Sequence, residues 1–130
     1  MSFKADVTQV LGADAFRKGL GELRQTDVAH ISAQRSREIT GSADVDASLA
    51  TALPNAARWD YVVGRTQGIF LQTHWIEVHP ASAGKNVHEI EKKLAWLMAW
   101  LRDNPLAKYP RDVVWVATGT FRGAGAVRVV

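Results

Sequence analysis

The chain has 130 residues, a length that suits one domain able to bury its own core without disulfide or metal support. It contains no Cys, which excludes disulfides, thiolate catalysis and Cys-ligated zinc. A net charge of +3 permits contact with nucleic acid without requiring it, and no apolar run approaches the roughly 20 residues of a membrane-spanning helix. The first residues lack the apolar stretch of a secretory signal. We therefore expect a cytoplasmic protein with no membrane partner and with nucleic acid or another protein as its partner.

The N-terminal third predicts little regular structure. Residues 14–24 predict a helix, because apolar residues recur there at helical spacing behind Asp14, a suitable N-cap. Residues 37–40 predict a short strand, and Gly41-Ser42 predicts a turn. A brief helix is expected from Asp46 to Leu53, with Asp46 as its N-cap.

The middle of the chain predicts a β-hairpin. Residues 58–65 and 69–79 are both typical of strands, and the short gap between them contains Gly68. With the turn at Thr66 and Gln67, Asp60 lies opposite Thr73. Glu77 then lies about four residues away from Asp60 in register. A bulge or a different turn length would change this register; otherwise strong twist or a bent second strand is needed to bring the two acids together.

The C-terminal part predicts one long helix and two strands. Residues 87–102 form the helix, which ends at Asn104-Pro105, and residues 113–117 and 126–130 form a central and an edge strand. Asn86 and Glu89 are placed as a capping box. The apolar stripe of the helix consists of Val87, Ile90, Leu94, Leu97, Met98 and Leu101. The fold predicted is a single α/β domain over residues 1–130, with a mixed sheet of four or five strands flanked by helices 14–24 and 87–102.

Two acids stand inside apolar strand-like runs. Asp60 follows Arg58-Trp59, and Glu77 lies in the run from Trp75 to Pro80. Burial of an unpaired charge is costly, so each acid needs a basic partner or both need a common ligand. Two carboxylates suit Mg²⁺, which activates water and neutralises charge on a phosphodiester. His79 shares the strand face of Glu77, and Lys92 and Lys93 follow on the next helix.

This arrangement resembles the restriction-endonuclease-like, or PD-(D/E)XK, nuclease superfamily over about residues 14–117. The shared features are a helix, strands, an Asp in one strand, Glu-x-His in the next, then a helix and another strand. The resemblance implies a restriction-endonuclease-like fold and Mg²⁺-dependent phosphodiester hydrolysis, with Asp60 and Glu77 as the metal ligands. The family's Lys, two residues after the second acid, is His79 here, and Trp59 stands where the family often has Pro. Members that carry the Lys on the following helix imply Lys92 or Lys93 in the catalytic role that His79 otherwise takes.

An alternative stays open beside the nuclease. In a non-catalytic module of the same fold that binds protein or nucleic acid, both acids would be neutralised by ion pairs. Asp60 would then pair with Arg58, Arg65 or a helix Lys, and Glu77 with Lys92 or Lys93.

Four other patterns carry less. A zinc site from His74, His79 and His88 is disfavoured, because His74 and His79 face opposite sides of a regular strand. Gly41 to Asp46 is too compact for a nucleotidyltransferase motif. The Gly-containing segments 118–120 and 123–125 lack phosphate-loop endings and read as turns. Trp96 and Trp100 could stack nucleic-acid bases, although aromatic pairs at this spacing more often pack against a sheet.

Overall fold

A five-stranded mixed sheet forms the centre of the structure, a computed structural model that describes residues 2–24, 39–80, 84–118 and 125–128. Its strands follow one another in chain order, and β3 and β4 pair in parallel while the other neighbours are antiparallel. This confirms the predicted mixed α/β sheet with helices. The elements are α1 (Phe3–Leu11), β1 (Ile39–Asp44), α2 (Val45–Leu49), β2 (Tyr61–Gln67), β3 (Phe70–Pro80), α3 (Gly84–Leu101), a 3₁₀ helix (Pro105–Lys108), β4 (Arg111–Thr118) and β5 (Gly125–Arg128).

The helix predicted over residues 14–24 is wrong, and a helix lies earlier, at α1. Ser2 caps α1, because its hydroxyl accepts a hydrogen bond from the amide of Ala5 at 3.1 Å. Further along, Arg17 exchanges two backbone hydrogen bonds with Ser42 of β1, at 3.0 and 2.8 Å. Gly19 adopts a φ of 60°, which breaks a helical path. Tertiary pairing with β1 therefore replaces the local helix that the apolar spacing predicted.

The turn predicted at Gly41-Ser42 is also wrong, since both residues lie inside β1. A Cβ at Gly41 would lie 2.2 Å from the ring of Phe16, so glycine is required there for close packing rather than for a turn. The brief helix exists as α2, but its N-cap is Asp44, whose Oδ1 accepts from the amide of Ala47 at 2.8 Å. The predicted strand near residues 37–40 is observed from Ile39 onward, and residues 25–38 lie outside the described residues.

The hairpin of β2 and β3 is confirmed, but its register differs from the prediction. Gly68, with a φ of 63°, and Ile69 form the turn, and the ladder runs from Gln67 opposite Phe70 to Tyr61 opposite Ile76. One step beyond this ladder, Asp60 lies opposite Glu77. The expected offset of about four residues is therefore wrong, and neither a bulge nor a bend of β3 is needed to bring the two acids together.

Helix α3 packs on the sheet as its apolar period predicts. Ile90, Leu97 and Leu101 are buried, and Leu94 and Met98 are partly buried against the core.

The start of α3 differs from the prediction. The helix begins at Gly84, so Asn86 lies within its first turn and is not the N-cap. Val87 is 45% exposed and does not belong to the apolar stripe.

The two faces of the sheet have separate cores. One face carries Val62, Trp75 and Val113, which form one cluster with side chains of α1 and α3. The other carries Tyr61 and Ile76, and residues of the 15–24 segment such as Leu23 pack there. Side chains alternate along a strand, so Glu77 and His79 share the face of Trp75, beneath α3.

No helix in the described ranges is long and apolar enough to cross a membrane.

Candidate active site

Asp60 and Glu77 meet at the point where β2 begins. The amide of Asp60 donates to Oε1 of Glu77 at 3.0 Å, and the amide of Val78 donates to Oδ2 of Asp60 at 3.0 Å. Each carboxylate thus accepts a backbone N–H from the strand that carries the other. Glu77 is fully buried and Asp60 is 6% exposed. The structure therefore brings the two predicted metal ligands together and orients both.

Helix α3 supplies the cation of the site. The ammonium of Lys93 donates a short hydrogen bond to Oε2 of Glu77, and its side chain is 22% exposed. Successive residues of a helix are rotated by about 100°, so Lys92 points elsewhere, and it is exposed. Of the two predicted helix lysines, the site contains Lys93, and Lys92 lies outside it.

His79 lies at the solvent side of the pair. Its Nδ1 is 3.7 Å from Oε2 of Glu77, too far for a hydrogen bond, and its Nε2 is 2.8 Å from Oε2 of Glu89. The indole N–H of Trp115 donates to the carbonyl of His79 at 2.9 Å and fixes the backbone there. Glu89 is a site residue that the sequence analysis missed, having placed it only in a capping box. Its position four residues before Lys93, on one side of α3, was the available signal.

The pKa values of both Asp60 and Glu77 are raised above their ordinary values. Burial, and then the neighbouring carboxylate of Asp60, raise the pKa of Glu77 to about 8, while Lys93 acts against this rise. Burial likewise raises the pKa of Asp60, against the hydrogen bond from Val78 and the charge of Lys93. Near neutral pH the charged form of Glu77 is therefore disfavoured, because burial and the carboxylate of Asp60 together outweigh Lys93. On Asp60, the charge of Arg24 acts in the same direction as that of Lys93.

The carboxylates of Asp60 and Glu77 could supply only two protein ligands to a Mg²⁺ ion. In the part of the chain that the structure describes, no group of three or more His, Asp or Glu side chains is arranged to hold a metal ion. Mg²⁺ can be bound through one or two carboxylates, with water and phosphate oxygens completing its six ligands. Since Lys93 already contacts Oε2 of Glu77, a Mg²⁺ ion at that oxygen has to compete with the ammonium.

One ion pair of the alternative is present, and one of the partners suggested for Asp60 is engaged elsewhere. Glu77 pairs with Lys93, as that alternative requires. Arg58, however, pairs with Asp46 at 2.9 Å, not with Asp60. His74 lies on the opposite sheet face from His79, 3.4 Å from Asp112, which agrees with the argument against a shared zinc site.

Compared with protein-family models, with curated proteins and with solved structures, the chain has no match. The geometry and charges of the site are therefore the basis for its function.

Proposed function

We propose that this protein is a Mg²⁺-dependent nuclease of the restriction-endonuclease-like fold, which hydrolyses phosphodiester bonds. The observation that carries the proposal is the convergence of Asp60 and Glu77 from adjacent strands, with Lys93 of the following helix on the second acid. The order β2, β3, α3 and β4 supports it as well. The two acids, the helix that follows them and the next strand are features on which the sequence resembled the PD-(D/E)XK superfamily, whereas the helix expected over residues 14–24 is replaced by α1.

The residues of the site would divide the work as follows. Asp60 and Glu77 hold the metal, which supplies a Lewis acid and an activated water at the phosphodiester. Lys93 balances the charge of Glu77 in the free protein. The ammonium of Lys93 would also be placed to stabilise negative charge that develops on the phosphate. His79, whose imidazole contacts Glu89, would take the catalytic role of the family's Lys at the attacking water.

One observation favours the alternative, a non-catalytic module that binds protein or nucleic acid. Glu77 is fully buried, and both of its oxygens are already engaged, one by the amide of Asp60 and one by Lys93. In that case the Glu77–Lys93 pair only fastens α3 to the sheet. The two functions predict opposite results for the same variants.

The test is cleavage of DNA and RNA substrates with Mg²⁺ or Mn²⁺, together with calorimetric titration of Mn²⁺. Asp60→Asn and Glu77→Gln keep side-chain shape and remove charge. Each is expected to abolish cleavage and weaken metal binding while the circular dichroism spectrum is retained. Glu91→Gln, on the exposed side of α3, is the matched control and is expected to cleave normally.

The contrary result is equally clear. If the wild-type protein binds no Mn²⁺ and cleaves no substrate, and the variants change only the melting temperature, the non-catalytic module replaces the nuclease.

A further inference from the structure

Beside the site, α3 carries an aromatic pair that the nuclease chemistry does not use. The rings of Trp96 and Trp100 are stacked, with centroids 5.3 Å apart and an interplanar angle of 13°. Trp100 in turn meets the ring of Trp75 edge-on, with centroids 6.1 Å apart. Trp75 is fully buried, and its indole N–H donates to Thr73 at 3.1 Å. The stack is therefore fixed to the core at one end.

Trp96 and Trp100 both pack partly against the core, and the stack fixes the orientation of the Trp96 ring. Trp100 is the ring that covers Trp75, and Trp96 lies beyond it, stacked on its face. Both rings of α3 are only partly buried. A partly exposed indole whose orientation is fixed by a second ring is an ordered platform, and binding to it costs little side-chain entropy.

Charge and position indicate what this platform would receive. Lys92 is exposed and lies four residues before Trp96, one helical turn away on the same side of α3. Lys93, which contacts Glu77, precedes Trp96 by three residues, a rise of about 4.5 Å along the helix. A flat ring surface next to a cation suits a nucleobase and its phosphate. A duplex hides the faces of its bases in the stack, so the occupant that fits is a single strand.

We propose that Trp96, supported by Trp100, is a stacking subsite for a base of single-stranded nucleic acid, and that Lys92 contacts the adjoining phosphate. The proposal rests on the proposed function, since it names the substrate class of that site. It places the stacked base about one helical turn along α3 from Lys93, which contacts Glu77, and gives Lys92 a binding role instead of a catalytic one.

The experiment measures binding of a fluorescein-labelled thymidine oligonucleotide by fluorescence anisotropy in EDTA, where no metal-dependent cleavage occurs. Trp96→Leu keeps the apolar volume but removes the flat ring, and it is expected to raise the dissociation constant on the order of 10-fold. Trp96→Phe keeps a smaller ring and should retain most of the affinity. Lys92→Gln is expected to weaken binding and to reduce the salt dependence by about 0.7 in log–log slope.

The matched control is Phe70→Leu, which removes a 70% exposed aromatic ring at the hairpin turn. It is expected to bind the oligonucleotide as tightly as wild type. The same oligonucleotide annealed to its complement should bind more weakly than the single strand. Circular dichroism and thermal melts verify that each variant is folded. If Trp96→Leu does not fold, Lys92→Gln, at an exposed position, tests the subsite through its loss of affinity and of salt dependence.

Two results would overturn the subsite: no measurable binding of the single strand, or equal affinities for Trp96→Leu and Phe70→Leu. Cleavage assays separate this outcome from failure of the nuclease. Binding through Trp96 without any cleavage leaves the subsite standing and removes the nuclease. Metal-dependent cleavage that is indifferent to Trp96→Leu does the reverse.

Discussion

Among the residues that the structure describes, two carboxylates are fully buried, Asp6 on α1 and Glu77 on β3, and their pKa values shift in opposite directions. Asp6 accepts hydrogen bonds from the hydroxyl of Tyr109 and, at 2.9 Å, from the ammonium of Lys108. Burial would raise its pKa, but these two partners outweigh burial and lower it. Glu77 also has a lysine, but a second acid lies beside it, and its pKa is raised to about 8. Burial alone therefore does not set the direction of a pKa shift, because the charges beside the carboxylate decide whether it is raised or lowered.

Removal of Asp6 is expected to have the largest effect. Asp6→Ala leaves the hydroxyl of Tyr109 and the ammonium of Lys108 without their acceptor. We expect a loss of about 2–4 kcal/mol in the free energy of unfolding, near the lower end for broken buried pairs because Lys108 is partly exposed. Urea denaturation near neutral pH measures this.

The pH dependence of Asp6 has a defined sign. Its folded pKa is lowered, so its stabilisation is present above the unfolded value, about 3.9, and is lost as the pH falls through the folded pKa. An Asp6→Ala variant with wild-type stability and unchanged acid denaturation would mean that the contacts of Asp6 with Tyr109 and Lys108 do not stabilise the fold.

Glu77 is expected to give the opposite pH profile. Its folded pKa of about 8 exceeds the unfolded value of about 4.3, so its contribution is complete below the unfolded pKa and is lost as the pH rises toward 8. Glu77→Gln removes this dependence. The stability of wild type relative to Glu77→Gln should therefore decline between about pH 4.3 and pH 8. Thermal melts of both proteins across this range provide the test. A wild-type protein that gains stability relative to Glu77→Gln as the pH rises would contradict the raised pKa of Glu77.

Asp60→Asn should have the smallest effect on stability and a clear effect on titration. The charge of Asp60 is one of the causes that raise the pKa of Glu77, after burial. Without that charge, the pKa of Glu77 should fall toward its ordinary range, while burial keeps it from returning fully. Carbon-13 NMR of the Glu77 carboxyl through a pH titration measures the shift. An unchanged titration would show that burial alone sets the pKa.

The long apolar elements could be predicted from the sequence because their burial follows a period. Helix α3 and strands β2, β3 and β4 each carry enough apolar residues for that period to show. Residues 14–24 also show a helical period, but two glycines and backbone pairing with β1 outweigh it. Local spacing contains no information about such a distant partner.

The site depended on a register that the sequence left ambiguous. With a turn at Thr66-Gln67 the two acids are separated, and with the observed turn at Gly68-Ile69 they are opposite each other. The positive φ of Gly68 is the physical reason for the second choice, since glycine adopts this conformation without strain. Both acids, their strands and the lysine on the next helix could be identified in the sequence. The contact of Glu89 with His79 is visible only in the folded structure.

The crossed hydrogen bonds between Asp60 and Glu77 also give the protein a built-in reporter. Where β2 begins, the amides of Asp60 and Val78 donate hydrogen bonds to carboxylates. Exchange of these two amide hydrogens with deuterium therefore tracks the positions of the acid side chains. An ion that draws the carboxylates toward itself would speed exchange at both positions. A hydrogen–deuterium exchange measurement with and without Mg²⁺ would then detect binding of the ion without a nucleic-acid substrate.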